Sequence, residues 1–147
     1  MTRHTLVMAS FLLETHVMGA GPTGCMVALA LAQQNQRVVL FDPQAFDALT
    51  SRSRAYAITH SSRRLMQSLG LWDELQTDLV AFEQLDLRDL AAGRQVLFVA
   101  EDLAKKNRGH RGIGWILDHR PLMTVLLRKL QQSALVQMYL GGKAAPT

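Results

Sequence analysis

The stretch Met18-Gly19-Ala20-Gly21-Pro22-Thr23-Gly24 constrains this chain more than any other. Its glycines at 19, 21 and 24 have the G-x-G-x-x-G spacing that turns a strand into a helix around a pyrophosphate. The first glycine permits the tight turn, the second leaves room for phosphates, and the third lets the helix pack closely on the strand. Exposed N–H groups and the positive end of the helix dipole then hold the anion. A glycine-rich turn in an ordinary βα unit can match the same spacing, so the flanking sequence has to decide.

The flanks agree with a nucleotide loop. Residues 11–18 predict a first parallel strand, although Glu14, Thr15 and His16 make it more polar than a strand buried on both faces should be. His16 has no partner motif and reads as a tolerated strand residue. Pro22 to about Gln34 predicts a helix, with proline in the first turn, where its missing N–H costs nothing. Asn35-Gln36 makes the turn, and Arg37 to Phe41 is a short buried strand that ends at Asp42. Asp42 lies 18 residues after Gly24, close to the roughly 20 at which an acidic residue bonds the ribose hydroxyls. The bland alternative for Asp42 is an Asp-Pro turn after a strand.

Further on, Pro43 to Ser53 reads as an irregular loop. A helix is expected from about Ser61 to Leu69, capped by Ser61 or Ser62, with Leu65, Met66 and Leu69 as its apolar stripe and Gly70 as its stop. Leu71 to Leu75 starts another helical turn, in which Trp72 packs. Leu85–Arg88 and Val96–Val99 form an antiparallel pair about Ala91-Ala92-Gly93. Residues 101–112 are polar, basic and glycine-containing, a mobile loop by composition. Gly114–Asp118 is a strand candidate. Pro121 then starts a helix with Leu122, Val125, Leu126 and Leu130 at helical spacing, and Val136–Leu140 begins one more strand.

At 147 residues, 48% hydrophobic and 19% charged, the chain suits one globular α/β domain over residues 1–147, with no separate second domain. The formal charge of +4 favours anionic ligands, but no aromatics interleave with Arg52, Arg54, Arg63 and Arg64 as a nucleic-acid groove would require, so nucleic acid is not expected as a partner. Cys25 is the single cysteine, so no internal disulfide forms and a reducing, cytoplasmic setting is the simplest expectation. Its place at a helix start would favour a thiolate; its neighbours Met26, Val27 and Ala28 favour a small buried residue instead. The short apolar run after Arg3 and His4 lacks a small-x-small cleavage site, and no run reaches the roughly 18 apolar residues of a spanning helix. Peripheral membrane contact stays open. His60, His110 and His119 lack metal-ligand spacing, and Ser61-Ser62 has no nucleophile-elbow context.

Four blocks in this order resemble the FAD-dependent aromatic hydroxylases, most closely the branch that hydroxylates the ring of ubiquinone precursors. They are Gly19-Ala20-Gly21-Pro22-Thr23-Gly24, the strand ending Phe41-Asp42, Arg54-Ala55-Tyr56-Ala57-Ile58 leading to Leu69-Gly70-Leu71-Trp72, and Gly114-Trp115-Ile116-Leu117-Asp118-His119-Arg120. The resemblance runs over residues 12–141. It implies a Rossmann-like FAD-binding βαβ unit with a small antiparallel β element, incomplete relative to the family fold. By position it assigns residues 19–24 to the FAD pyrophosphate loop and Asp42 to the adenosine ribose. Arg54 matches an arginine that approaches the FAD, where a fixed guanidinium can neutralise phosphate. Arg120 matches a less uniform position at a helix start, where the alternative is a solvent-facing residue. The implied chemistry is reduction of FAD by NAD(P)H, reaction with O₂, and hydroxylation of an electron-rich ring such as a quinone precursor, with no side chain of this chain named as a catalytic base.

The sequence departs from the family in places. Arg52 stands where an Asp is usual, and the first strand is polar. The later D-G and G-D motifs, the substrate-covering sheet and the C-terminal helical part are not found, so the chain reads as the N-terminal portion of a longer hydroxylase. The alternatives are a truncated, inactive nucleotide-binding module and, more weakly, a piece of an NAD(P)-dependent dehydrogenase.

Overall fold

The computed structural model describes residues 14–103 and 112–142. Residues 11–13 of the expected first strand, most of the 101–112 loop and the 143–147 tail lie outside these. In chain order the elements are β1 (Glu14–Met18), α1 (Pro22–Gln33), β2 (Arg37–Asp42), α2 (Phe46–Thr50), β3 (Ala55–Ile58), α3 (His60–Ser68), α4 (Trp72–Leu75) and β4 (Leu79–Phe82). They continue with β5 (Leu85–Asp89), β6 (Arg94–Phe98), β7 (Gly114–Asp118), α5 (His119–Gln132) and β8 (Val136–Leu140). The result is an α/β fold with a parallel sheet and small antiparallel sheets.

The parallel sheet runs β1-β2-β8. Val17 pairs with Leu40, and Leu40 with Met138. The central strand is the most buried, with Val38, Val39 and Leu40 all inside, which is why it reads as an unbroken apolar run. β1 does not share that environment. Among the described residues it pairs with β2 alone, and its residues alternate between exposed and half-buried. Glu14 and His16 take the exposed positions, where the imidazole Nε2 lies 3.0 Å from Glu14 Oε1. The parallel first strand is therefore present, but it is not buried, and its polarity follows.

A second, antiparallel sheet runs β3-β7-β4, and β5-β6 form the expected hairpin. Four local features differ from the sequence expectations. Residues 43–53 contain α2, held by the burial of Leu49 and by its packing on α5. Helix α3 is capped by Thr59, whose hydroxyl accepts from Ser62 N at 3.2 Å, and Leu65 in its expected apolar stripe is half exposed. Helix α5 begins two residues before Pro121, which still falls in the first turn, where no N–H is needed. Strand β4 lies outside the expected elements, because its four residues become a strand only by pairing with β7.

Helix α5 is the centre of the core. Leu122, Met123, Leu126, Leu127 and Leu130 are at most 2% exposed, and the helix packs on α1, α2, α4, β7 and β8. Its last turn is tied to α4. Glu74 receives Lys129 Nζ at 2.6 Å and also Arg128, and the Lys129 bond chiefly holds the Glu74 carboxyl below its usual range. Trp72 packs edge-on against Trp115 at 5.0 Å between ring centroids, in agreement with its expected packing role. Leu126→Ala is expected to cost about 2–5 kcal/mol in denaturant unfolding, whereas Leu90→Ala, at a position 91% exposed, should stay within about 0.5 kcal/mol.

Candidate nucleotide-binding site

β1 ends at Met18 and α1 begins at Pro22, so Gly19, Ala20 and Gly21 make the whole turn. Gly19 has φ +100°, a conformation L side chains rarely adopt, and its N–H donates to Phe41 O at 2.7 Å. At Gly24 an added Cβ would lie 1.9 Å from the carbonyl oxygen of Gly19. These two glycines are required by the fold itself. Gly21 is different. Its φ of −72° suits any residue, and an added Cβ would meet nothing within 4 Å.

The space in front of Gly21 opens at the N-terminus of a 12-residue helix. Gly21 is the N-cap and offers no side-chain acceptor, and no acidic residue lies in the first turn. The first N–H groups of a helix have no intrahelical acceptor, and the helix dipole makes that end attractive to an anion. The turn therefore fits a pyrophosphate, with room at the one glycine of the loop that neither packing nor backbone conformation demands.

Asp42 stands at the end of β2 and ties the turn down. Its Oδ2 accepts from Ala20 N and its Oδ1 from Gln44 N, both at 2.8 Å. Each carboxylate oxygen keeps a further lone pair, so the group can still accept from a hydroxyl. Gln44 in turn bonds the Arg52 guanidinium through its Oε1, so Arg52, unusual in this place, has a partner here. Cys25 is fully buried beneath the loop, and its thiol donates to Ala20 O at 3.3 Å. Burial first, and the Asp42 charge second, push its pKa up to about 12. The thiolate reading fails, and the small buried reading holds.

Arg54 and Arg120 are far apart in the sequence but line one open cleft of about 490 Å³, together with Arg52 and Asp118. Arg54 also lines a second cleft of about 390 Å³ that includes Pro22, Thr23 and Tyr56. It is thus shared between the glycine-loop side and the Arg120 side. A third cleft, about 240 Å³ and mostly apolar, has Ile58, Phe82, Leu85, Phe98 and Ile113 in its walls and shares Ala57 and Ile58 with the second.

His119, which lacks metal-ligand spacing in the sequence and belongs to the block Gly114–Arg120, is a buried structural junction. Its Nε2 lies 2.6 Å from Leu49 O and its Nδ1 2.7 Å from the Tyr56 hydroxyl. The sequence marks it only as a member of that block, and its role is not legible there because both partners come from distant segments. Among the described residues no three His, Cys, Asp or Glu side chains gather as a metal site, and no helix is long and apolar enough to cross a membrane.

The parallel βαβ start, the glycine turn at a helix N-terminus and the acidic residue ending the second strand define a dinucleotide-binding α/β domain. The chain matches the FAD binding domain family over residues 13–88 and belongs to it. It is similar to an uncharacterized protein of Synechocystis sp., 22% identical over 81% of this chain and 28% of that protein. Over 40% of the chain and 13% of the relative, it is 39% identical to the ubiquinone hydroxylase UbiM of Neisseria meningitidis. Its fold is that of PqsL of Pseudomonas aeruginosa, described as a probable FAD-dependent monooxygenase, with TM-score 0.65, 20% identity, and 88% of this chain against 33% of that one. The chain thus spans a third or less of the length of each of these proteins.

Two outcomes follow from the loop geometry. Gly24→Ala should lower stability by about 1–3 kcal/mol, because its methyl meets rigid backbone, as read by thermal or denaturant unfolding. At pH 8 the single thiol should resist iodoacetamide while the chain is folded and react promptly once denaturant unfolds it.

Proposed function

We propose that this chain is the FAD-binding part of a flavoprotein monooxygenase that hydroxylates an aromatic ring, with ubiquinone precursors as the substrate class and NAD(P)H as the reductant. The observation that carries the reading is Gly21. Packing does not call for a glycine there, yet the position faces open space at an uncapped helix N-terminus. Membership of the FAD binding domain family supports the flavin, and the local similarity to UbiM supports the ubiquinone branch.

In this reading the loop of Gly19, Ala20, Gly21, Pro22, Thr23 and Gly24 receives the pyrophosphate on the N–H groups that open α1. Asp42 accepts from the ribose hydroxyls with the lone pairs that Ala20 and Gln44 leave free. Arg54 and Arg120 neutralise phosphate charge from the adjoining cleft and present planar donors that suit its oxygens. Bound FAD would supply the redox and oxygen chemistry, while the protein binds, orients and shields it. The apolar cleft beside β3 suits the ring of a substrate close to that site.

A second reading is a nucleotide-binding module without turnover of its own. It is favoured by the kind of groups named for the site, which are binding groups: the N–H groups that open α1, the Asp42 carboxylate, and the arginines of the open cleft. NADPH oxidation coupled to a hydroxylated phenol, from this chain supplied with FAD, would exclude it.

The test of flavin binding is Gly21→Ala. Alanine is a somewhat poorer N-cap than glycine, so the fold should lose no more than about 1 kcal/mol. FAD affinity should fall at least about tenfold, the equivalent of one charge-assisted hydrogen bond lost when the methyl displaces the phosphates. Unchanged affinity, measured by flavin fluorescence titration, would contradict the assignment of the loop.

A further inference from the structure

We propose that His119 is a positioning residue, whose buried imidazole holds β3 and the start of α5 at the separation that brings Arg54 and Arg120 into one anion-binding cleft. The inference rests on the reading that this cleft takes the phosphate-bearing part of a ligand. It goes beyond that reading in naming the group that sets the cleft.

The imidazole is 1% exposed and has a polar partner on each nitrogen. A carbonyl oxygen can only accept, so the Leu49 contact at 2.6 Å requires a proton on Nε2. In the neutral ring Nδ1 is then an acceptor, and the Tyr56 hydroxyl at 2.7 Å donates to it. One ring thereby joins three segments: the end of α2 through Leu49, β3 through Tyr56, and α5, whose first residue it is. A backbone bond adds to this, since His119 N donates to Arg54 O at 2.8 Å.

The two arginines sit immediately beside these links. Arg54 precedes β3, with its carbonyl held by His119, and Arg120 follows His119 in the first turn of α5. Tyr56, the other end of the chain of bonds, lines the cleft that Arg54 shares with Pro22 and Thr23. Two long, flexible cations would spread apart if only their mutual repulsion acted. The His119 amide holds the Arg54 carbonyl, and its ring holds Tyr56 two residues further on, so the segments that carry the two arginines are tied to one residue. This limits their freedom and lowers the ordering cost of binding an anion between them.

The test is a double-mutant cycle on the whole chain between His119→Gln and Arg120→Gln. Glutamine can still donate towards Leu49 O but does not place an acceptor for Tyr56. Each protein is titrated with FAD and, separately, with inorganic pyrophosphate, and its thermal unfolding is recorded. Each single variant should weaken both ligands about tenfold, and the double variant should be no weaker than Arg120→Gln alone, since residues that act as one unit are non-additive. Losses that multiply in the double variant would show that His119 supports only the fold, and would overturn the proposal. If pyrophosphate shows the non-additivity but FAD does not bind, His119 keeps its role and the flavin reading falls. If the unmodified chain binds neither, the cleft is no anion site and the proposal fails. Should His119→Gln not fold, Tyr56→Phe removes only the hydroxyl and is expected to give the same non-additivity with Arg120→Gln.

Discussion

The carbonyl oxygen of Gly19 lies where a side chain on Gly24 would have to be, 1.9 Å from its Cβ position, and the architecture of the site depends on that close approach. It lets the first turn of α1 sit directly over the end of β1, so the helix points its free N–H groups at the space in front of the loop. Gly19 adds the positive φ that the turn requires, and Asp42 fastens Ala20 from the neighbouring strand. The loop is therefore shaped before any ligand arrives, and binding need not spend interaction energy on ordering it. The buried Cys25 thiol beneath it stays neutral and adds packing without charge.

The second sheet has a different relation to the site. Its strands β3 and β7 bring Arg54 and Arg120 to the same end of the sheet, because Ala55 pairs with Asp118 in antiparallel register. Each arginine lies one or two residues outside that pair, so the register brings both to one end of the sheet, where the proposed His119 links set their separation. Tyr56 and His119 then join the sheet to α2 through side chains. In the proposed site the parallel βαβ unit supplies the α1 N-terminus and the carboxylate, and the antiparallel sheet supplies the cations.

What could be read from the sequence was local in origin. The glycine spacing, the alanine-rich helix after it, the apolar run of β2, the hairpin about Gly93 and the leucine stripe of α5 each carry their pattern within about 14 residues, and each has its counterpart in the fold. The features that escaped depend on distant partners. α2 is a helix because Leu49 finds α5, and β4 is a strand because β7 arrives later to pair with it. In the sequence Arg54 and Arg120 are separate candidates, and only the fold shows that they share a cleft. The bonding role of His119 is not legible in the sequence, since its bonds reach residues 63 and 70 positions away. The polarity of β1 read as a difficulty only while the strand was assumed to be buried on both faces.

The central claim is that the glycine turn, Asp42 and the arginine cleft form one continuous nucleotide-binding surface. The most direct measurement is an amide- and guanidinium-resolved nitrogen-15 NMR titration of the chain with FAD. The account requires saturable shifts at Ala20, Gly21, Thr23, Gly24 and Gln44, and in the side chains of Arg54 and Arg120, all following one binding curve. Shifts confined to the apolar cleft at Phe82 and Phe98, with the glycine turn and the arginines unmoved, would contradict it.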